Sequence, residues 1–560
     1  MAERRRKHWG WGYEDEQLPP GQLREAARGL AGHLGFGEVE IEEPVPLEAV
    51  ALRAPRVEPP VDLAEVCASD AHARASHALG KSYGDVVRGL RGDFPDPPDF
   101  VARPHHEGEI ERLLEWCGRE RVAVVPYGGG TSVVGGVEPA VGDSYNGVVS
   151  LDTGALTQLL EVDPVSRSAL IQGGASGPQL EGALGEHGLT LRHFPQSFEL
   201  ATLGGWIATR AAGHFAMGPT HIEDFVESVR ALTPSGVWES RRLPGSGAGI
   251  SPDRVLAGSE GTLGVIVEAW MRVQSRPTHR ASAGVGFLDF ATGAECVRAL
   301  SQADLNPANC RLIDADEARL TFAGDGSRAL LVLGFESTDH PVGEALGRAL
   351  EICREHGGEV GERRDSGSGR RGSGGAAGAG AAGGRAAGGG SSTGGDAVGS
   401  WRTAFLRAPY VRDVFVAMGV ITETFETAIT WERLPALQES VTAAARAALA
   451  EVGAEPALVT CRLTHVYPDG AAPYFTVIAP GRRGEEIAQW AHVKRAVSEA
   501  IGRAGATITH HHAVGRDHRP WYDDQRPEPF AAALAGAKAA VDPRWIMNPG
   551  VLLDRPQARA

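Results

Sequence analysis

Two runs of identical residues could do chemistry. In the segment Pro126, Tyr127, Gly128, Gly129, Gly130, Thr131, Ser132, three glycines follow a short apolar run. Lacking Cβ atoms, they let the backbone enter φ > 0 and come within hydrogen-bonding distance of a ligand. Successive N–H groups turned into one concavity make an anion nest, and the hydroxyls of Thr131 and Ser132 add donors. Such a loop suits a pyrophosphate. The second run is His510, His511, His512. Histidine is the usual general acid or base near neutral pH, and it also binds zinc. With 507–514 read as a strand, His510 and His512 share one face and His511 points the other way. At most two then converge and no third ligand is evident, so the reading is that no metal is held. Two single residues add to these runs. Tyr474, beside Phe475, is either a core tyrosine or a proton carrier. Arg412 either pairs with the adjacent Asp413 or offers a planar fork to a phosphate.

The glycine loop fits neither common nucleotide-binding pattern. No lysine follows Gly130 or Gly136, as a Walker loop requires, and Glu138-Pro139 cannot open the long helix of a Rossmann fingerprint. Other small-residue segments recur downstream. Gly204 and Gly205 precede an apolar helical turn and would aim free N–H groups at an anion. The run from Gly258 to Gly264 again stands at a turn leading into a strand.

These segments need a scaffold, and the pattern between residues 100 and 273 supplies one. A helix is expected over 108–119, with Ile110, Leu113, Leu114 and Cys117 on one face. Strands are expected at 122–125, where Pro126 ends the ladder, and at 147–151, 226–232 and 263–273. A hairpin turns at Asp163-Pro164, and a helix covers 177–188. Further on, strands are expected at 283–288, 329–335, 457–466 and 474–478, with a helix over 290–304. Earlier in the chain, helices are expected over 22–35 and 62–78, and Trp9, Trp11 and Tyr13 read as an anchor packed on a neighbouring domain.

The fold class expected is α+β, in several units. Residues 1–95 form a helical and extended region, 96–276 the domain carrying the glycine loops, and 277–365 with 401–560 a second domain. Between its halves, residues 366–400 read as a disordered insertion, because 15 of these 35 residues are glycine and such a stretch has little apolar surface to bury. At 560 residues the chain has room for these cores, and its 42% hydrophobic and 22% charged residues are those of a globular protein. A net charge of −16 argues against nucleic acid and anionic membranes as general partners. The cysteines are scattered without a Cys-x-x-Cys pair, which points to a reducing compartment. No apolar run approaches the roughly 20 residues of a membrane-spanning helix, and no signal-peptide core follows the basic start. The expectation is a cytoplasmic protein.

The order of the three loops resembles the FAD-binding domain of the vanillyl-alcohol oxidase type. Within that superfamily the chain is similar to the alkyldihydroxyacetone-phosphate synthases. Trp9-Gly-Trp-Gly-Tyr13, Ile222-Glu-Asp224, Arg311-Leu-Ile-Asp314, Tyr410-Val-Arg-Asp413, Glu423-Thr-Phe-Glu-Thr427, Cys461-Arg462 and the histidine triplet through Gly515 carry the likeness. The resemblance implies a two-part FAD-binding domain with an α+β cap over the substrate, and FAD held without a covalent link. It places FAD against 126–132 and against Gln196, Ser197, Phe198, Glu199, Leu200, Ala201 and Thr202. It adds Thr209, Arg210, Ala211 and Ala212, then Gly258, Ser259, Glu260, Gly261, Thr262, Leu263 and Gly264. It makes Arg412 a substrate-binding arginine and Tyr474 a proton-transfer residue, with Arg311 and His510, His511 and His512 needed for activity. The implied reaction exchanges the acyl group of acyl-dihydroxyacetone phosphate for a long-chain alcohol, redox-neutral through a flavin adduct. The alternative on the same fold is an FAD-dependent dehydrogenase or oxidase of a 2-hydroxy acid. The substrate is then a small molecule or lipid; membrane contact and a homodimer stay open. The sequence departs from the family at Gln196, where an aspartate is usual, at Gly218-Pro-Thr-His221, and in the glycine-rich insertion.

Overall fold

The described residues of this computed structural model are 4–37, 39–366 and 397–555. The strand leading into the triple glycine runs Val122–Tyr127 and lies at the edge of a four-stranded sheet. It pairs in parallel with Gly147–Asp152, which pairs in turn with Phe100–Ala102. Helix Glu107–Glu120 covers this sheet and buries Ile110, Leu113, Leu114 and Cys117, as its spacing predicts. Pro126 does not end the ladder. Register continues through Pro126↔Leu151 to Tyr127↔Asp152, because an edge strand can spend the missing N–H on its open side.

A second sheet of five antiparallel strands follows, in the order Leu159–Asp163, Ser168–Gln172, Val265–Arg272, Val226–Thr233, Gly236–Glu239. The hairpin at Asp163 forms as expected, its carboxylate taking the N–H groups of Val165 and Ser166. Residues 62–78 depart from expectation. They form a short 3-10 turn, the strand Cys67–Ala68 and a separate helix, Ala71–Ser76. Cys67 and Ala68 pair with Ala102 and Val101, and the Asp70 carboxylate caps His72 and Ala73, so the single helix is interrupted twice.

The third sheet is antiparallel throughout and joins sequence from both sides of residues 367–396. Its path runs Glu359–Ser366, His279–Phe287, Ala329–Ser337, Asn309–Ile313, Leu458–Val466, Gly470–Pro480, Val420–Glu426. The insertion expected at 366–400 falls mostly on 367–396, outside the described residues. At its margins stand strand Glu359–Ser366 and helix Ala397–Ala417. The chain's end returns to the first sheet: Val124 donates to the Ile546 carbonyl and accepts from Asn548 N–H. Trp9 and Trp11 are buried, with the Trp11 N–H on the Asp413 carboxylate.

Candidate active site

The three glycine loops meet. A Cβ on Gly129 would lie 2.2 Å from the Leu200 carbonyl oxygen, and one on Gly261, where φ is +73°, would lie 2.8 Å from Pro126 Cγ. Tight loop-to-loop packing therefore demands these glycines, beyond any ligand. Together the loops wall one side of a cavity of about 990 Å³, at the upper end of the roughly 300–1,000 Å³ typical of small-molecule and cofactor sites.

Of the residues expected to hold FAD, the cavity is lined by Pro126 through Ser132, Gln196, Ser197, Ala201, Thr202, Thr209, Ala211, Ala212, Glu260, Gly261 and Gly264. The others stand behind it, each for a packing reason. Phe198 stacks on Trp206, Glu199 accepts the Tyr410 hydroxyl, and Leu200 is buried. Arg210 turns to Glu223, with Nη2 at 2.8 Å from Oε1. Thr262 bonds the Ser259 carbonyl, Leu263 enters the core, and Gly258 turns with φ +81° behind the lining. Glu260 has a second task. Its buried carboxylate accepts the N–H groups of Val514 and Gly515, and burial pushes it up to about 7.

Across the cavity stand Tyr474, Arg311, Arg412, His511 and His512. Residues 507–514 are not a strand but an irregular loop wrapped around Glu426. The Glu426 carboxylate, at the end of strand Val420–Glu426, accepts N–H from His510 at 2.5 Å, His511 at 3.0 Å and His512 at 2.9 Å, and the Thr509 hydroxyl as well. Three consecutive N–H groups turned onto one anion cannot also join a ladder, so the alternation expected of a strand is lost. Burial pushes Glu426 up to about 7. Directly opposite it in the sheet is Tyr474. One strand pair thus places both the phenol and the histidine loop.

His511 and His512 face the cavity, while His510 turns away, its Nε2 2.7 Å from the Tyr467 hydroxyl. The His511 ring lies stacked 6.1 Å from the Tyr474 ring, and the Arg462 guanidinium sits 3.8 Å over the opposite partner of that stack, the Tyr474 ring itself. Burial, with repulsion from neighbouring imidazoles, holds His510 and His511 well below the usual histidine range, and burial pushes His512 down to about 3. These imidazoles are neutral near pH 7 and can accept protons. His465 supplies the third imidazole that the sequence reading did not find: ring nitrogens of His465, His510 and His511 lie within 4.8 Å of one another. Arg311 bears on His465 and Arg462 on His511, so a dication there would face two guanidinium groups.

Arg311 is buried and donates to the His214 carbonyl at 3.0 Å; burial pushes it down to about 9. Arg412 does not pair with Asp413, whose carboxylate is taken by Lys7 Nζ at 3.3 Å and by Trp11 N–H. Sequence reasoning missed Glu426, His465 and Arg462 as site residues, although Glu426 and Arg462 stood within motifs carrying the resemblance. Arg462, between Cys461 and Leu463, carried a signal, a charge at a strand position flanked by apolar residues; Glu426 and His465, each beside a threonine, carried none.

Residues 98–240 match the family model described as an FAD binding domain, and residues 276–552 match that of FAD linked oxidases, C-terminal domain. The alkyldihydroxyacetonephosphate synthase of Dictyostelium discoideum is 31% identical over 86% of this chain and 78% of its own length. That of Trypanosoma brucei brucei is 29% identical over 87% and 78%. A solved alkyldihydroxyacetonephosphate synthase structure superposes with a TM-score of 0.76 at 25% identity, covering 97% of each chain. The cavity's glycine loops fit the FAD that these models describe. The chain is an FAD-dependent protein of two-part fold and belongs to the alkyldihydroxyacetonephosphate synthase family.

Proposed function

We propose that the protein replaces the acyl group of an acyl-dihydroxyacetone phosphate with a long-chain alcohol. The observation that carries this reading is the convergence of Tyr474, His511, Arg311 and Arg412 on the cavity walled by the three glycine loops. FAD held there by 126–132 and the loop residues facing it supplies the ring chemistry of a redox-neutral exchange.

The chain's own residues do the rest. Arg412, free of its neighbouring carboxylate, offers a planar fork to the phosphate. His511, kept neutral by burial, accepts the proton removed from the reacting carbon, and the Tyr474 hydroxyl beside it carries protons to and from the site. Arg311, desolvated at the cavity wall, favours negative charge developing there. Leu30, Leu320, Val411, Phe415 and Ile478 pack as one apolar cluster and line a stretch of the same cavity, where an alkyl chain can shed water.

Anaerobic mixing tests the reading. Acyl-dihydroxyacetone phosphate should perturb the flavin spectrum without leaving stoichiometrically reduced flavin, and a long-chain alcohol should restore the starting spectrum. Full, lasting reduction by a 2-hydroxy acid would favour the dehydrogenase instead.

A further inference from the structure

Lysine occurs in this chain only at 7, 81, 494 and 538. Three of these are buried against a carboxylate: Lys7 on Asp413 at 3.3 Å, Lys494 on Glu423 at 3.4 Å and Lys538 on Asp542 at 2.5 Å. Lys81 is the exception. Its side chain makes no hydrogen bond and no ion pair within 4 Å to any described residue, yet it lines the cavity beside the triple-glycine loop. The nearest carboxylates, Asp413 and Asp85, are engaged elsewhere, by Lys7 with Trp11 N–H and by Ser82 N–H. Burial accordingly pushes the Lys81 ammonium down to about 8, against the attraction of those acids and with repulsion from Arg6 and Lys7.

The backbone around Lys81 places it with some care. Its N–H donates to the Ser132 carbonyl at 2.6 Å, and its own carbonyl accepts from Arg412 Nη1 at 2.8 Å. The backbone of Lys81 is therefore strapped between the end of the glycine loop and the arginine facing the same cavity, and its side chain joins the cavity lining. Both side chains line the cavity, joined through the Lys81 carbonyl, and neither has a carboxylate partner among the described residues. A desolvated, unpaired ammonium is costly to bury, and a bound anion relieves that cost. We propose that Lys81 and Arg412 form a two-cation cradle for a phosphoryl group. This rests on the reading of the substrate as a phosphate ester; the pyrophosphate of FAD offers the same chemistry from a second source.

The test uses the FAD-loaded enzyme and three variants, Lys81→Met, Lys81→Gln and Lys81→Arg. With the substrate as source, Lys81→Met and Lys81→Gln raise KM for acyl-dihydroxyacetone phosphate and the inhibition constant of inorganic phosphate by roughly 10–100-fold. FAD content is then unchanged, kcat moves far less, and Lys81→Arg recovers much of the loss. With FAD as source, the neutral variants instead lose cofactor affinity while Lys81→Arg keeps it. Neutral variants that bind FAD, inorganic phosphate and substrate like the wild type overturn the cradle. Where they fail to fold, the wild type decides. Inorganic phosphate on the FAD-loaded protein, or FAD on protein stripped of it, should slow reductive methylation of Lys81 beyond the effect of chloride at equal ionic strength, and equal rates in both overturn the proposal. A wild type that binds inorganic phosphate but never turns over acyl-dihydroxyacetone phosphate sinks the functional reading and leaves the cradle standing.

Discussion

Tyr474 is nearly buried between the Arg462 guanidinium and the His511 ring, so its ring is held by packing and its hydroxyl is the only part left for chemistry. Tyr474→Phe keeps that packing and deletes the proton carrier. FAD content should stay at the wild-type level while kcat falls by roughly 10²–10⁴-fold; a variant as active as the wild type would remove Tyr474 from the mechanism. Arg412→Ala removes a charge-assisted contact, and it should act chiefly on KM for the phosphate substrate. Thr131, in the first loop, has no side chain able to take up a flavin carbon. Acid precipitation should therefore release all yellow colour into the supernatant, and colour held in the pellet would contradict non-covalent binding. The types of these residues were legible in the sequence. Their partners were not, because Arg412 and Asp413 are adjacent in the chain yet face different neighbours, and only the returning N-terminal segment with Lys7 and Trp11 explains why.

Among the elements, the loop carrying the three histidines depends on two buried carboxylates. Glu426 holds His510 to His512, and Glu260 holds Val514 and Gly515. Both acids are pushed up to about 7 by burial. Raised carboxyls protonate as pH falls through 7, and a carboxylic O–H set against N–H donors is a poorer anchor. Activity should therefore fall on the acid side of about pH 7. The histidines do not set that limb, since burial keeps them neutral throughout it. Glu426→Gln should lower kcat by roughly 10²-fold through misplacement of the loop and make the acid limb shallower, because only Glu260 is left to titrate. Glu426→Asp, which keeps the charge, should restore the limb. A limb unchanged in Glu426→Gln would assign it elsewhere. Sequence periodicity read this loop as a strand because alternation is a local signal, whereas the carboxylate that gathers its N–H groups comes from residue 426. Most other elements were legible for the converse reason: helix Glu107–Glu120 buries the face its own spacing marks, and strand Leu458–Val466 falls within a residue of its expected bounds.

At the scale of the whole molecule, the chain's last segment closes the cofactor domain. Lys538, 2% exposed at its side chain, donates to the Thr262 and Met547 carbonyls and pairs with Asp542. Removing one partner strands the other charge in the interior, so Lys538→Met should destabilise by about 3–5 kcal/mol and lower FAD content together with Tm. Unchanged Tm would show the pair to be dispensable. The pair itself is local, four residues apart, but its tie to the Thr262 carbonyl spans 276 residues and no local pattern announces it; a lone lysine in an otherwise alanine-rich helix was its trace. Among the described residues no helix is long and apolar enough to cross a membrane. The exchange proposed for the cavity where loops, histidines and tyrosine converge is measured most directly by incorporation of a labelled alcohol. Wild-type protein given acyl-dihydroxyacetone phosphate and labelled long-chain alcohol should form labelled ether product while releasing fatty acid, with no oxygen consumed and no dye reduced. Steady dye reduction with a 2-hydroxy acid, and no label in an ether product, would contradict it.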